Sequence, residues 1–238
     1  MHLQRAGGDV VAELSIETEL HRETANNEEF EASLEHALRI LELETQRSGE
    51  GSLGVAYQHA NLADAYTNLD KPVAAMQSLR AALTIYAEHL PAEHAATISA
   101  RSRLASALVE NGEHAEGLHE IDRAIAALER RPEDEDTIHV SMSVWWDAGG
   151  IMQTLGRHED AIVYLEKTKQ FVTDEDVWNS FMLRKMIADS LIELGREREA
   201  VGELRDCLEH MYPDWPEWDE RADARRLLAK LERDLAEG

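Results

Sequence analysis

The sequence predicts an all-α protein, a right-handed α-solenoid of antiparallel helix pairs with about eleven helices. A helix-turn-helix pattern occurs four times in phase along the 238 residues. Its clearest copy has apolar and small residues at helical spacing: Leu62, Ala63, Tyr66, Leu69, Ala75, Leu79 and Ala82. A two-helix unit cannot bury its apolar face alone, so neighbouring units must stack around one continuous core. Few prolines (5) and few aromatic residues (5%) fit helices packed through alanine and leucine.

The small residue that opens the core of each second helix sets the repeat length. These residues are Ala75, Gly117, Ala161 and Ala200, at intervals of 42, 44 and 39. We expect a single solenoid over 1–238 with six segments: a degenerate N-terminal helix pair (1–47), repeats at 52–89, 93–130, 136–171 and 174–211, and a C-terminal capping helix (215–236).

Short turns connect the two helices of each repeat. Gly112, Gly156 and Gly195 each stand where a helix ends in a left-handed residue. The first full repeat has Asp70 to Pro72 at this point, and proline suits the first turn of the following helix. Longer acidic and proline-containing stretches separate the repeats, and Pro132 is in one of them.

The two ends of the chain depart from the pattern. Residues 30–41 match a second helix of a repeat, but residues 10–21 have no convincing small contact residue. This pair is therefore a degenerate terminal repeat. Pro213, Trp215 and Trp218 precede a last helix that is apolar on one face and charged on the other, which is typical of a solenoid cap.

The spacing of Ala63, Ala75 and Ala82, with large partners such as Leu62 and Tyr66, resembles the tetratricopeptide repeat family. The resemblance covers about residues 28–211. The longer spacing near 42 is similar to kinesin-light-chain-like and bacterial multi-repeat members of the family, rather than to the 34-residue type. The resemblance implies a protein-binding scaffold, with no enzymatic activity and no cofactor.

The balance of charge limits the classes of partner. The chain has 48 acidic and 24 basic residues, a net charge of −24. It should repel phosphate backbones and anionic lipids, so we expect neither nucleic-acid nor membrane binding, and we expect a basic protein or peptide as partner. The acidity is also explained by solubility alone. The absence of a signal-peptide pattern and the single cysteine predict a soluble cytoplasmic protein.

In the family, set positions on the first helix of each repeat face a concave groove. The resemblance implies these partner-binding residues: Tyr57, Asn61, Asp64, Asn68, Ser102, Arg103, Ser106, Trp146, Asp147, Gln153, Lys185 and Asp189. Four more residues map to the same face: Thr67, Ser99, Gly150 and Glu193. The aspartates favour a basic or amine-bearing segment.

Trp145 and Trp146 are the aromatic pair of the third repeat. Adjacent helical residues point about 100° apart, so Trp145 is expected in the core and Trp146 at the groove. Trp146 is then either packed against the next repeat or an anchor for a ligand, since tryptophan is enriched in binding hot spots. A clamp for a C-terminal carboxylate is not expected, because only Arg103 among the equivalent positions suits an anion.

The sequence gives little support for metal binding or for catalysis. The histidine pairs 114/119 and 89/94 are five residues apart, which does not stack two ligands on one helix face. The acidic run at 133–136 lacks the glycine and the alternation of a calcium loop. Cys207 falls at a core position and is expected to be a buried small side chain.

Two other functions stay open. One is a bacterial peptide-sensing protein that controls a response regulator, with or without phosphatase-like activity, although about 27 residues before the first repeat-like helix are too few for an effector domain. The other is self-association into a homo-oligomer through the apolar end at Trp215 and Trp218.

Overall fold

The structure is a computed structural model that describes residues 2–131, 135–173, 176–209 and 219–237. Within these ranges there is no β-strand, and the all-α prediction is confirmed. The described residues form eleven helices: α1 (His2–Asn26), α2 (Phe30–Ser48), α3 (Leu53–Asn68), α4 (Pro72–His89), α5 (Ala95–Glu110), α6 (His114–Arg130), α7 (Glu135–Thr154), α8 (His158–Lys169), α9 (Val177–Glu193), α10 (Glu197–Glu209) and α11 (Asp219–Glu237). Some positions named in the sequence analysis lie outside the described residues: Pro132, Pro213, Trp215, Trp218 and the start of the acidic run at 133.

Five hairpin turns have the same backbone conformation. Each places one residue at positive φ: Glu28 (60°), Asp70 (54°), Gly112 (83°), Gly156 (70°) and Gly195 (66°). The next residue donates its N–H to the carbonyl oxygen five residues earlier, at 2.8–3.0 Å. This bond closes the end of a helix in a Schellman-type turn. The predicted turn glycines are therefore confirmed.

The N-terminal helix pair uses this turn as well. Glu29 donates to the carbonyl oxygen of Thr24 at 2.9 Å, and Glu28 has the left-handed conformation. From Glu28 the left-handed residues recur at intervals of 42, 42, 44 and 39. Ser33 of α2 lies 42 residues before Ala75 and is buried like the small contact residues of the other repeats, and the turn of this pair is in phase with theirs.

The chain forms two compact units. Met1–Arg131 contains α1 to α6, and Pro132–Gly238 contains α7 to α11. Within each unit, every helix packs against the helices before and after it in sequence. In addition, α3 contacts α5 in the first unit, and α7 contacts α9 in the second. The first helices of the hairpins α3/α4 and α5/α6 thus contact each other, and so do those of α7/α8 and α9/α10, as in a helical-repeat solenoid. A single array over the whole chain stays a prediction.

Small residues bring the paired helices close together. Ala63 and Ala82 are at most 1% exposed. A Cβ added to Gly117 would lie 2.6 Å from Cγ2 of Val109 and 2.9 Å from the carbonyl oxygen of Ala105. Both distances are shorter than van der Waals contact, so only glycine fits between α5 and α6 at this point. The predicted close-contact positions are confirmed at these residues.

Cys207 is buried in α10, as predicted, and its thiol donates to the carbonyl oxygen of Leu204 at 3.2 Å. Burial raises the pKa of this thiol to about 12. In the part of the chain that the structure describes, no helix is both long enough and apolar enough to cross a bilayer.

Candidate functional site

One side of α3 is open to solvent. We call Tyr57, Asn61, Asp64 and Asn68 the open face of α3; all four are exposed. Their spacing of four, three and four residues places them on one side of the helix. The ring of Tyr57 is 41% exposed and meets Tyr86 edge to face, with the centroids 5.5 Å apart. This face therefore offers amide groups, a carboxylate and an aromatic edge to a partner.

The charge on this face is partly neutralised. Arg103 of α5 forms an ion pair with Asp64 and donates to the carbonyl oxygen of Ala60 at 2.6 Å. The sequence placed both residues in the groove but did not predict that they bind each other. Asp64 is thus a weaker attractor of basic partners than expected.

The prediction for Ser102 is wrong. Its side chain is 0% exposed, so it cannot contact a partner in this conformation. The neighbouring predicted residues Ser99 and Ser106 are half-buried on the same helix. Serine is small enough to be covered entirely where helices approach closely, and residue type alone does not reveal this.

Trp145 occupies a core position, as predicted. It is 8% exposed and stacks on Tyr164, with centroids 5.8 Å apart. The ammonium of Lys167 lies 4.0 Å from the Trp145 ring centroid, which is a cation–π geometry. Trp146 is half-buried and packs against the core cluster that includes residues of α9. These contacts favour the structural alternative for Trp146 over the ligand anchor.

Gln153 joins α7 to α9. Its Nε2 donates to the carbonyl oxygen of Met186 at 2.7 Å and to the hydroxyl of Ser190 at 2.8 Å. The other predicted positions on α7, Asp147 and Gly150, are half-buried. The open surface of α7 is therefore smaller than predicted.

A second, partly open face lies on α9, where Trp178 and Glu193 are exposed and Lys185 and Asp189 are half-buried. Trp178, Lys185, Asp189 and Glu193 are spaced by seven, four and four residues, so they share one side of the helix. We call these four residues the open face of α9. Trp178 is 45% exposed, and the Lys185 ammonium binds Asp189 at 2.8 Å. Trp178 was not predicted as a site residue, although its position seven residues before Lys185 places it in phase.

The open face of α9 borders a cavity of about 410 Å³. Side chains from four helices of the second unit line it: Gln153, His158, Asp189, Ile192, Glu193 and Leu227. It combines carboxylates, an amide and two aliphatic side chains. Among the described residues, no cluster of three or more side chains suited to a metal ion was found.

Comparison with known proteins identifies the repeat. The tetratricopeptide repeat family model matches residues 59–89, in the hairpin of α3 and α4. No curated protein has a significant sequence match to the chain.

Several solved structures have a similar fold. The apo form of the quorum sensor NprR from B. thuringiensis aligns with a TM-score of 0.65 and 18% identity, covering 96% of this chain and 65% of NprR. A putative kinesin light chain from Podosopora anserina with nearly identical TPR-like repeats gives 0.59 and 18%, covering 92% and 97%. BtubC from P. vanneervenii gives 0.60 and 13%, also covering 92% and 97%. At these identities the likeness establishes the fold alone.

Proposed function

We propose that this chain, a tetratricopeptide-repeat protein, is an interaction scaffold that binds a basic segment of a partner polypeptide. The observation that carries the proposal is the open face of α3. Four exposed side chains lie along one side of this helix, in contrast to its tightly buried contact residues such as Ala63. The chain thus keeps a polar, partly aromatic strip uncovered where the rest of the helix is packed.

The charge of the molecule supports a basic partner. The net charge is −24, and it favours encounter with cationic polypeptides at low ionic strength. On α3 the pairing of Asp64 with Arg103 lowers the local charge, so amide groups and the Tyr57 ring contribute to contact there. On α9 Lys185 likewise pairs with Asp189, so the carboxylate of Glu193 contributes most of the negative charge there.

A double substitution on the open face tests the proposal. Asn61→Lys with Asn68→Lys adds two positive charges, seven residues apart, on α3. The immobilised protein is incubated with an extract of the cells that encode it, and the bound proteins are identified by mass spectrometry. We expect proteins with a basic segment to be recovered by the natural chain, and their recovery to be lost with the double variant because like charges repel.

The matched control is Gln77→Lys with Thr84→Lys. These two residues are exposed on α4 with the same seven-residue spacing, so the control adds the same charge to the other helix of the same hairpin. Recovery should survive in the control. Equal recovery by all three proteins would exclude the open face of α3 as the binding surface.

A second candidate is a peptide-sensing regulator. The alignment with a quorum sensor over 96% of this chain favours it. In that case a short peptide, rather than a protein, should bind and change the activity of a regulated partner. Phosphatase activity toward a phosphorylated receiver domain would support this function, and its absence together with stable recovery of a basic protein would favour the scaffold.

A further inference from the structure

The cavity beside α9 presents hydrogen-bond acceptors from two helices. Gln153 Nε2 binds the carbonyl oxygen of Met186, and a carbonyl oxygen can only accept, so the amide orientation is fixed. The Oε1 atom of Gln153 is therefore the end that remains available as an acceptor. Asp189 and Glu193 add carboxylates one helical turn apart on α9. Asp189 binds Lys185, but a carboxylate accepts several hydrogen bonds.

The electrostatic environment of the cavity favours a cation. No lysine or arginine of the described residues lines it, although the Lys185 ammonium lies 2.8 Å from Asp189 and compensates part of the carboxylate charge. The basic residues that follow the C-terminal ends of α7 and α9 are engaged elsewhere: Arg157 binds Asp160 at 2.6 Å, and Arg196 binds Glu199 at 2.7 Å. The partial negative charge at the C-terminal ends of α7 and α9 adds to that of the carboxylates, and the partial positive charge at the N-terminal end of α8, which begins at His158, opposes it.

The apolar part of the lining restricts the class of cation. Ile192 of α9 and Leu227 of α11 contribute aliphatic surface next to the acceptors. A bare metal ion or a small ammonium ion would leave this surface without a contact. A long side chain with an aliphatic stem and a charged head would use both parts of the cavity.

One buried atom in the wall also lacks a partner. Nδ1 of His158 is buried and has no hydrogen-bond partner among the described residues. Unsatisfied buried polar atoms are uncommon in folded proteins and often mark a place that water or a ligand completes. His158 lines the same cavity as Asp189 and Glu193.

We propose that this cavity receives an arginine side chain of the partner. Its stem lies on Ile192 and Leu227, and its guanidinium donates to Asp189, Glu193 and Oε1 of Gln153. Arginine fits better than lysine because the guanidinium has five donors and is more weakly hydrated than an ammonium group. The volume of about 410 Å³ is within the range of small-molecule sites. This assignment rests on the proposed function, since it names the residue by which a basic partner is recognised.

Nuclear magnetic resonance titration of the full chain tests the assignment with a defined probe. The probe is N-acetyl-arginine-N-methylamide, and its neutral isostere with citrulline is the control ligand. We expect saturable shifts of the backbone amides of Gln153, Asp189, Ile192, Glu193 and Leu227 with the arginine probe, and no saturable shifts with the citrulline compound. Shifts spread over the acidic surface without saturation, or equal effects of both compounds, would overturn the assignment.

Two matched variants then distinguish the contribution of a cavity carboxylate from the effect of the net charge of the protein. Glu193→Gln removes one carboxylate from the cavity, and Glu209→Gln removes one from an exposed position on α10. The first should raise the Kd for the arginine probe about fivefold, and the second should leave it unchanged within about twofold. Equal effects of the two variants would show that only net charge matters.

The failure of this inference and that of the scaffold can be told apart. If the partner is lost with the Asn61→Lys/Asn68→Lys variant but the arginine probe does not bind, the cavity assignment is wrong and the scaffold stands. If the probe binds as described but no partner is recovered by the natural chain, the arginine specificity of the cavity stands, and its assignment to a protein partner is wrong together with the scaffold.

Discussion

Two adjacent glycines of α7 show how different the two sides of one helix are. A Cβ on Gly149 would lie 2.5 Å from Cδ2 of Leu165, whereas a Cβ on Gly150 would meet only the terminal carbon of Met186, at 3.8 Å. The side of α7 at Gly149 is packed so closely that it has no space for a side chain. The side at Gly150, one residue further along, has space for a methyl group. Substitutions on the closed side should change stability, and those on the open side should change binding.

The largest expected difference between closed and open positions is in thiol reactivity. Cys207 is buried, and burial raises the pKa of its thiol to about 12. At pH 8 it should react with a thiol reagent about 1,000-fold more slowly in the folded than in the urea-unfolded protein.

A cysteine introduced on the open face of α3 allows the reactivity of an exposed thiol to be compared with that of Cys207. Asn61→Cys should add one thiol that reacts at the rate of an unfolded peptide, while Cys207 stays slow. The reaction is followed by mass spectrometry. Two fast thiols in the folded variant would mean that the packing around Cys207 is not as described.

Overpacking the closed side should have the largest effect on the free energy of unfolding. Ala161 is 0% exposed, and Ala161→Leu should destabilise the protein by about 1–3 kcal/mol because the added atoms have no space. Ala229→Leu, at an exposed position of α11, is the control and should change stability by less than about 0.5 kcal/mol. Urea titration measures both, and equal midpoints would contradict the assigned contact.

Alanine substitutions at Gly149 and Gly150 should change the stability of the protein in opposite directions. Gly149→Ala should destabilise by about 1–2 kcal/mol, since the clash with Leu165 outweighs the gain in helix propensity. Gly150→Ala should stabilise by about 0.5–1 kcal/mol, because alanine restricts the unfolded chain and meets no close neighbour. Thermal melts of the two variants provide the measurement. Shifts of the same sign would show that the two sides of α7 are not distinguished by packing.

The hairpin turns should give the smallest effects. Asp70 has φ 54° in the turn where later repeats have glycine, such as Gly156 at φ 70°. Asp70→Gly should stabilise by up to about 1 kcal/mol by relieving the left-handed strain of a side chain, and Gly156→Ala should destabilise by about the same amount. Denaturant midpoints test both, and a loss of stability in Asp70→Gly would contradict the shared turn geometry.

The sequence predicted the packed side better than the open side. Close contact permits only small residues, so Ala63, Ala82 and Gly117 reveal their positions by type and spacing. Turn glycines also reveal their positions in the sequence, because the left-handed backbone conformation of these turns favours glycine. The turn at Glu28 was missed because glutamate gives no such signal, although its position is in phase.

On the open side, spacing identifies which residues share a face but not what they contact. The pairing of Arg103 with Asp64 depends on how a long side chain bends toward the neighbouring helix. The burial of Ser102 depends on the helix that covers it, and the half-burial of Trp146 on the core next to it. These contacts depend on the distances between helices, which the residue pattern within one helix does not specify.

Carboxylate footprinting tests the central claim most directly. The protein is labelled with a carbodiimide and an amine, with and without its recovered partner, and each site is quantified by mass spectrometry. Binding on the open faces predicts that labelling of Asp64, Asp189 and Glu193 falls when the partner is bound, while Glu129 of α6 and Glu209 of α10 are labelled as before. Protection of Glu129 and Glu209 with unchanged labelling of Asp64, Asp189 and Glu193 would contradict the account.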